Sequence, residues 1–409
     1  MTRLARVLVA AALLLGLAAG TSHAASPWPT KDRYLQAMSN MPHYVIDRAL
    51  RGASVAWDKN LRRPYSMSGS FSTVFPVTTK GNHRIAMRVF HPPEGAEERM
   101  DLDAFITRYR TLKSYLIKMN KEGKRVSEIV DFVVVRNGMK IDNRALPIMK
   151  MPYLVARPLD EFIERRLGQG RPEKVRDIAN DFRIAMKAMR RAKLAHGDLH
   201  VANVQVEFRA PGRLRFMDYD SMYAPPLAGL KNAEIGSPNF QHPSYHFPKR
   251  VRPFDEHMDH FSAMVIYTSL MAIHADPKLW QRFHRSDQLM LLFRGKEDFV
   301  DPSQSAVFAA LQQSSSPVVQ RLAAQLATYC TMDPHQIPDL ETSIANAETP
   351  WYERQAQARL AAKGGGNPAV TGGNGAPTAP RAPAVVAPQA PQWETRPGWY
   401  ENRKAAGTP

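Results

Sequence analysis

His196-Gly197-Asp198-Leu199-His200-Val201-Ala202-Asn203 is the stretch on which the reading of this chain turns. It places an Asn five residues after an Asp, in a loop-like run. A carboxylate so placed accepts or orients the proton of an attacking hydroxyl, and the carboxamide offers an oxygen to a hard cation such as Mg²⁺. Beyond it, Val204 to Phe208 reads as a strand and Pro211-Gly212 as a turn. Leu214-Arg215-Phe216-Met217 then reads as a second strand ending in Asp218-Tyr219-Asp220. The carboxylate at the end of this hairpin is a second hard oxygen donor for such a cation. Asp198, Asn203 and Asp218 are therefore the catalytic candidates. Asn203 and Asp218 are the metal candidates, for a hard cation such as Mg²⁺. A His-x-x-x-His metal pair at His196 and His200 is the rival reading. It lacks an obvious helix and a third ligand and is set aside.

Upstream, Ile178, Phe182, Met186 and Met189 fall on one face of a helix that runs into His196. Helical patterning dominates from about residue 159 onward. Before it the chain is richer in strands. Phe71, Val74 and Phe75 precede Ile85-Ala86-Met87-Arg88-Val89-Phe90, with Gly81-Asn82 as the turn between them. Leu102, Phe105, Ile106, Tyr109, Leu112, Leu116 and Met119 form one helical stripe, predicting a helix over 101–119. Residues 129–136 and 146–155 read as strands, with a turn at Asn137-Gly138. The expectation is an α+β chain in two lobes. A small antiparallel sheet of five strands occupies 45–155, and a larger helical lobe occupies 156–345. Residues 26–44 form an N-terminal extension and 346–362 a helical linker.

The ends read differently. Arg3 and Arg6, an apolar run from Val7 to Gly20, and Ser22-His23-Ala24 make the three-part pattern of a secretory signal over residues 1–25. As a helix the apolar run rises only about 21 Å, short of the ~30 Å hydrocarbon core. The expectation is export to the periplasm or medium, with a retained membrane anchor as the alternative. From 363 to 409 Gly, Pro, Ala, Asn and Thr dominate, and disorder is expected there. The net charge of +17 permits attraction to anions, but no basic run interleaved with aromatics marks a specific nucleic-acid site. With Cys330 alone, internal disulfides and cysteine-built zinc or iron–sulfur centres are excluded.

With these residues in hand the chain resembles the protein kinase superfamily, more narrowly a divergent group of bacterial kinase-like domains. The resemblance covers roughly residues 27–290. It includes Trp28-Pro29-Thr30, Ser68-Gly69-Ser70-Phe71, Met87-Arg88-Val89-Phe90, Asp218-Tyr219-Asp220-Ser221-Met222-Tyr223, Gln241-His242-Pro243 and Asp259-His260-Phe261-Ser262. It implies a two-lobed protein-kinase-like fold. Gly69, Ser70, Phe71 and Val74 take the place of the glycine-rich phosphate loop, Arg88 that of the strand lysine and hence a fourth catalytic candidate, and Ala86, Met151, Tyr153 and Leu154 line the nucleotide's base. Asp103 is the expected carboxylate partner of Arg88, with Glu97 and Glu98 as rivals. Asp259 takes the place of the buried Asp that braces the catalytic loop. Three departures stand out: a single glycine in the phosphate loop, Arg for Lys at 88, and His-Gly-Asp rather than His-Arg-Asp.

The resemblance implies an ATP- and Mg²⁺-dependent phosphotransferase acting on a hydroxyl of a protein or small molecule. A pseudokinase or nucleotide-sensing scaffold is the alternative, and a partner-binding module without nucleotide the third. Export and ATP use pull against each other in this reading.

Overall fold

The computed structural model describes residues 28–69, 72–91, 102–208, 213–230, 235–247 and 250–348. The signal-like segment, the Gly/Pro-rich tail, most of the linker, Ser70, Phe71 and the Pro211-Gly212 turn lie outside them. The described chain is mixed α+β and divides into two compact units. The first comprises the chain up to residue 80 together with 87–106 and 135–149. The second takes 81–86, 107–134 and everything from 150 on.

The first unit opens with Trp28, whose buried ring meets the edges of Phe90 and Phe105. Thr30 then caps α1 (Lys31–Ser39), its hydroxyl accepting from Arg33 N at 3.3 Å, and the short α2 (Met41–Tyr44) follows. The strands are β1 (Ser54–Val55), β2 (Trp57–Asp58), β3 (Arg63–Pro64), β4 (Met67–Ser68), β5 (Ser72–Thr78), β6 (Arg84–Phe90), β7 (Val133–Ile141) and β8 (Arg144–Pro152). Six form one antiparallel sheet in the order β1-β5-β6-β8-β7, with β4 also on β5, one strand more than expected. Val55 stands opposite Val77, and Met67 opposite Val74. Phe75, Val77, Met87, Val89, Met139, Ile141 and Ile148 are buried.

The turn expected at Asn137-Gly138 is not there. Gly138 lies within β7, and the hairpin closes at Asp142-Asn143, with φ of 50° and 61°. Two left-handed residues in a two-residue loop twist as the flanking strands do. Gly138 serves a different need. A Cβ there would sit 2.3 Å from Ile148 Cγ1, and its carbonyl accepts from Ile46 N at 2.9 Å and Asp47 N at 3.2 Å. Close packing, not a turn, asks for the glycine. The predicted Gly81-Asn82 turn does join β5 to β6, with Asn82 at φ 61°.

The second unit holds most of α3 (Leu102–Lys121), then β9 (Ala156–Pro158), α4 (Leu159–Gly168) and α5 (Glu173–Arg191). The chain continues through β10 (Val204–Glu207), β11 (Leu214–Phe216), α6 (His260–Ala275), α7 (Lys278–Phe283) and α8 (Gly295–Phe299). It ends in α9 (Ala306–Gln312), α10 (Pro317–Tyr329) and α11 (Leu340–Glu348). Along α5, Val175, Ile178, Phe182, Ala185 and Met189 are buried; of the stripe read from sequence, Ile178, Phe182 and Met189 are buried and Met186 is half-buried. Most of α6 is buried on every face, so it is the central helix of this unit, flanked by α5 and α10. Truncating a side chain such as Phe182 in this core is expected to cost about 3–5 kcal/mol. The β9-β10-β11 ladder pairs Gln205 with both Pro158 and Arg215. Among the described residues no helix is long and apolar enough to cross a membrane.

Candidate functional site

The site is built on residues 194–203, between α5 and β10. Helix α5 stops where Lys193 takes a left-handed conformation (φ 52°) and Leu194 N bonds back to Met189 O at 3.0 Å. Ala195 then exchanges backbone hydrogen bonds with Tyr223, at 3.3 and 2.8 Å. The next two residues hang from one carboxylate. Asp259, 2 % exposed, accepts from His196 N and, at 2.8 Å, from Gly197 N. Asp259 stands at the N-cap position of α6 yet makes no cap bond with its side chain. Its acceptor capacity goes to the loop instead.

Gly197 has φ 79°, and a Cβ there would lie 2.4 Å from Ser221 O. No side chain fits at 197 without moving that carbonyl. A guanidinium arrives from elsewhere. Buried Arg252 donates to Gly197 O at 2.6 Å and to Gln241 Oε1 at 3.0 Å. His196, fully buried, donates through Nε2 to Met217 O at 2.7 Å and accepts at Nδ1 from Asp198 N at 3.3 Å. The two partners assign its tautomer.

Asp198 is thus held from its own backbone. Asn203 Nδ2 donates to Asp198 O at 2.8 Å and to Asp198 Oδ2 at 3.1 Å. His200 accepts at Nδ1 from Ala202 N, which turns Nε2 to within 3.4 Å of Asp198 Oδ2. His196 and His200 therefore have separate tasks and do not form a ligand pair. Burial alone raises the Asp198 pKa. The hydrogen bond from His200, the nearby His200 and His196 rings and the Ser237 N–H together outweigh it, holding the carboxyl below the usual range. An ionised, weakly basic carboxylate orients a hydroxyl and takes its proton late.

The other oxygen, Oδ1, is buried and makes no hydrogen bond among the described residues. Gly236 lies against it. With φ 88°, a Cβ on Gly236 would stand 2.8 Å from both Asp198 Oδ1 and Gln241 Nε2. The bare backbone of Gly236 and Ser237 therefore covers the carboxylate at close range.

Asp218 joins this frame through its neighbour, because Met217 N bonds to Asn203 O at 2.9 Å. Asp218 is exposed, with φ 63°, immediately past the point where Met217 is tied to both Asn203 and His196. Tyr219 follows, fully buried, its hydroxyl accepting from Val130 N and donating to Phe216 O. Asp220 accepts from Tyr109 Oη. The amide nitrogen of Asn203 is committed to Asp198, so its oxygen is the group left to offer a cation. That oxygen and the Asp218 carboxylate are both hard donors, the kind Mg²⁺ takes.

The remaining predicted residues divide between the units. In the first, Gly69 is exposed at the β4–β5 hairpin, its N bonding to Ser72 O at 2.9 Å, and Val74 is half-buried on β5. Arg88 on β6 is 4 % exposed. It donates through Nε to Ser72 Oγ at 2.7 Å and lies over the Phe90 ring at 5.4 Å. Glu97, Glu98 and the side chain of Asp103 lie outside the described part. In the second unit, Ala86 and Met151 are buried and Leu154 is half-buried. Tyr153 N bonds to Arg84 O at 3.3 Å, under the Arg84 guanidinium 4.0 Å from its ring.

Sequence reasoning missed Gly236, Ser237 and Arg252. The only signal was the Gly236-Ser237-Pro238 run upstream of Gln241-His242-Pro243; Arg252 carried none among so many basic residues. No family model matches the chain, and no curated protein matches it.

Proposed function

We propose that the chain is an ATP- and Mg²⁺-dependent phosphotransferase with a two-lobed protein-kinase-like fold, passing the terminal phosphoryl group to a hydroxyl acceptor. The observation that carries this reading is the shared frame of Asp198, Asn203 and Asp218. Asn203 Nδ2 holds the Asp198 carboxylate, and Met217 N, next to Asp218, bonds to Asn203 O. Phosphoryl transfer is mostly positioning and charge neutralisation, and it needs these three groups held rigidly. Asn203 and Asp218 would hold Mg²⁺, whose charge neutralises the phosphates. Asp198 orients the acceptor hydroxyl and receives its proton, and the covering backbone of Gly236 and Ser237 limits water there. Arg88, with Gly69, Ser70, Phe71 and Val74, is assigned to the phosphates, and Ala86, Met151, Tyr153 and Leu154 to the base. We further propose export directed by residues 1–25.

The second reading, a nucleotide-binding scaffold without turnover, draws support from Arg88, where one guanidinium N–H is already spent on Ser72. Titrating the full chain with ATP and Mg²⁺ in a thermal-shift experiment tests both. A binder is stabilised by RT ln(1 + [L]/Kd), and no shift at millimolar nucleotide rejects both readings. Phosphate transfer that disappears in Asp198→Ala while the thermal shift persists selects the enzyme. Asp218→Ala is expected to weaken binding only when Mg²⁺ is present.

A further inference from the structure

Away from this site, Asp255, His257 and His335 bring a carboxylate and two imidazoles together, with one ligand atom from each lying within 4.8 Å of the others. We propose that they bind a borderline divalent transition ion, Zn²⁺ foremost, which clips the segment ahead of α6 to the turn at residues 334–336. His257 Nδ1 lies 3.5 Å from Asp255 Oδ1, and His335 Nδ1 lies 3.6 Å from Asp255 Oδ2. Ligands about 2.0–2.1 Å from a tetrahedral Zn²⁺ stand about 3.3 Å apart, so small rotamer changes close the site. Neither imidazole–carboxylate pair is at hydrogen-bonding distance. The three groups are gathered without satisfying one another, as a shared ion would require. The two imidazole rings, 5.9 Å apart and inclined at 67°, are not stacked, which leaves their nitrogens able to turn inward.

The backbone supports this arrangement. Asp255 Oδ1 accepts from His257 N at 2.9 Å, and Asp333 caps the 334–336 turn by accepting from His335 N at 2.9 Å. Both histidines are thereby set on short, locally bonded segments. The same two stretches already meet where His260 Nδ1 bonds Ile337 O at 2.7 Å, so the ion would reinforce an existing seam. Two nitrogens and one oxygen suit Zn²⁺ with water in the fourth position, whereas Mg²⁺ and Ca²⁺ call for oxygens throughout. Side-chain exposures of 43 % for His257 and 49 % for His335 leave the entry path open. Asp255 lies four residues before Asp259, which holds the 196–197 backbone, so the ion would sit on the segment that carries that brace.

The test is Zn²⁺ titration of chelator-stripped full-length chain against a fluorescent chelator, with thermal unfolding in parallel. We expect His257→Ala and His335→Ala each to lower affinity at one site at least about tenfold. The double variant should lose one equivalent of Zn²⁺, together with the rise of a few degrees in Tm that the ion gives the unsubstituted chain. Both histidines are well exposed, so the variants should match it in circular dichroism and in Tm without metal. No binding up to about 100 µM Zn²⁺ overturns the proposal, as the ion's ordinary affinity for such donors is far tighter. Unchanged stoichiometry in the double variant also overturns it, since the ion would then sit on others of the 13 histidines.

Discussion

Replacing Asp259 tests the loop's support directly. Its two carboxylate oxygens accept from two consecutive buried N–H groups, those of His196 and Gly197, and it is 2 % exposed. In Asp259→Ala both donors lose their acceptor inside the protein. Each such loss costs about 1–3 kcal/mol, for about 2–6 kcal/mol in sum. Relief from burying the carboxylate and entry of water into the vacated space lower this, so about 2–4 kcal/mol is the expected net loss. In a unit of this size about 2 °C of Tm accompanies each kcal/mol, giving a fall of about 4–8 °C. Asp259→Asn keeps one acceptor but turns an NH₂ toward the other N–H, so it should fall nearly as far. The assay is thermal unfolding followed by circular dichroism, with amide hydrogen exchange at His196 and Gly197 as the local readout. If both variants melt within about 1 °C of the unsubstituted chain and protection at those amides persists, Asp259 does not brace the loop.

Other perturbations follow from the same geometry. Gly197→Ala forces a side chain into a left-handed position against Ser221 O, and a loss of about 2–4 kcal/mol in urea unfolding is expected. Gly236→Ala presses on Asp198 Oδ1 and Gln241 Nε2; it should depress phosphate transfer while thermal shifts with ATP and Mg²⁺ stay near normal. Arg252→Met leaves Gly197 O and Gln241 Oε1 without their donor, and about 2–4 kcal/mol lower stability is expected by the same urea measurement. Burial first, then Asp177 and Glu128, push the Asp181 pKa up to about 6. Between its unfolded value near 4 and about pH 6 the folded state binds the extra proton, so stability falls as pH rises through that window. Asp181→Asn should flatten that slope and raise Tm at neutral pH.

The amphipathic stripe of α5 was legible because Ile178, Phe182 and Met189 repeat with the helical period, and the structure buries all three. The β10–β11 hairpin was legible for a similar reason, since β-branched and aromatic residues flank a Pro-Gly pair. The β7–β8 turn was misplaced because Asn-Gly and Asp-Asn both suit left-handed loops, and local sequence does not say which glycine a neighbouring side chain will crowd. Ile148, ten residues on, decides that Gly138 stays in the strand. Arg88 was legible as a basic residue on an apolar strand; that it would bond Ser72 was not.

By itself the sequence determined which residue types stand at which spacing. These were the Asp198–Asn203 interval, the hairpin ending in Asp218, the helical and strand periods that make the chain α+β, and the single cysteine that excludes thiolate metal centres. Those properties are local, carried by side-chain chemistry and by periods of a few residues. Asp259 was expected to brace the loop; only the tertiary structure decided that it does so through the N–H groups of His196 and Gly197, and that Arg252 reaches Gly197 O from 55 residues away. It also decided that Gly236 closes over Asp198 and that His335 comes up to Asp255 and His257. Each of these contacts joins segments far apart along the chain. They form only when packing of the buried core brings those segments together, and no local period records that encounter.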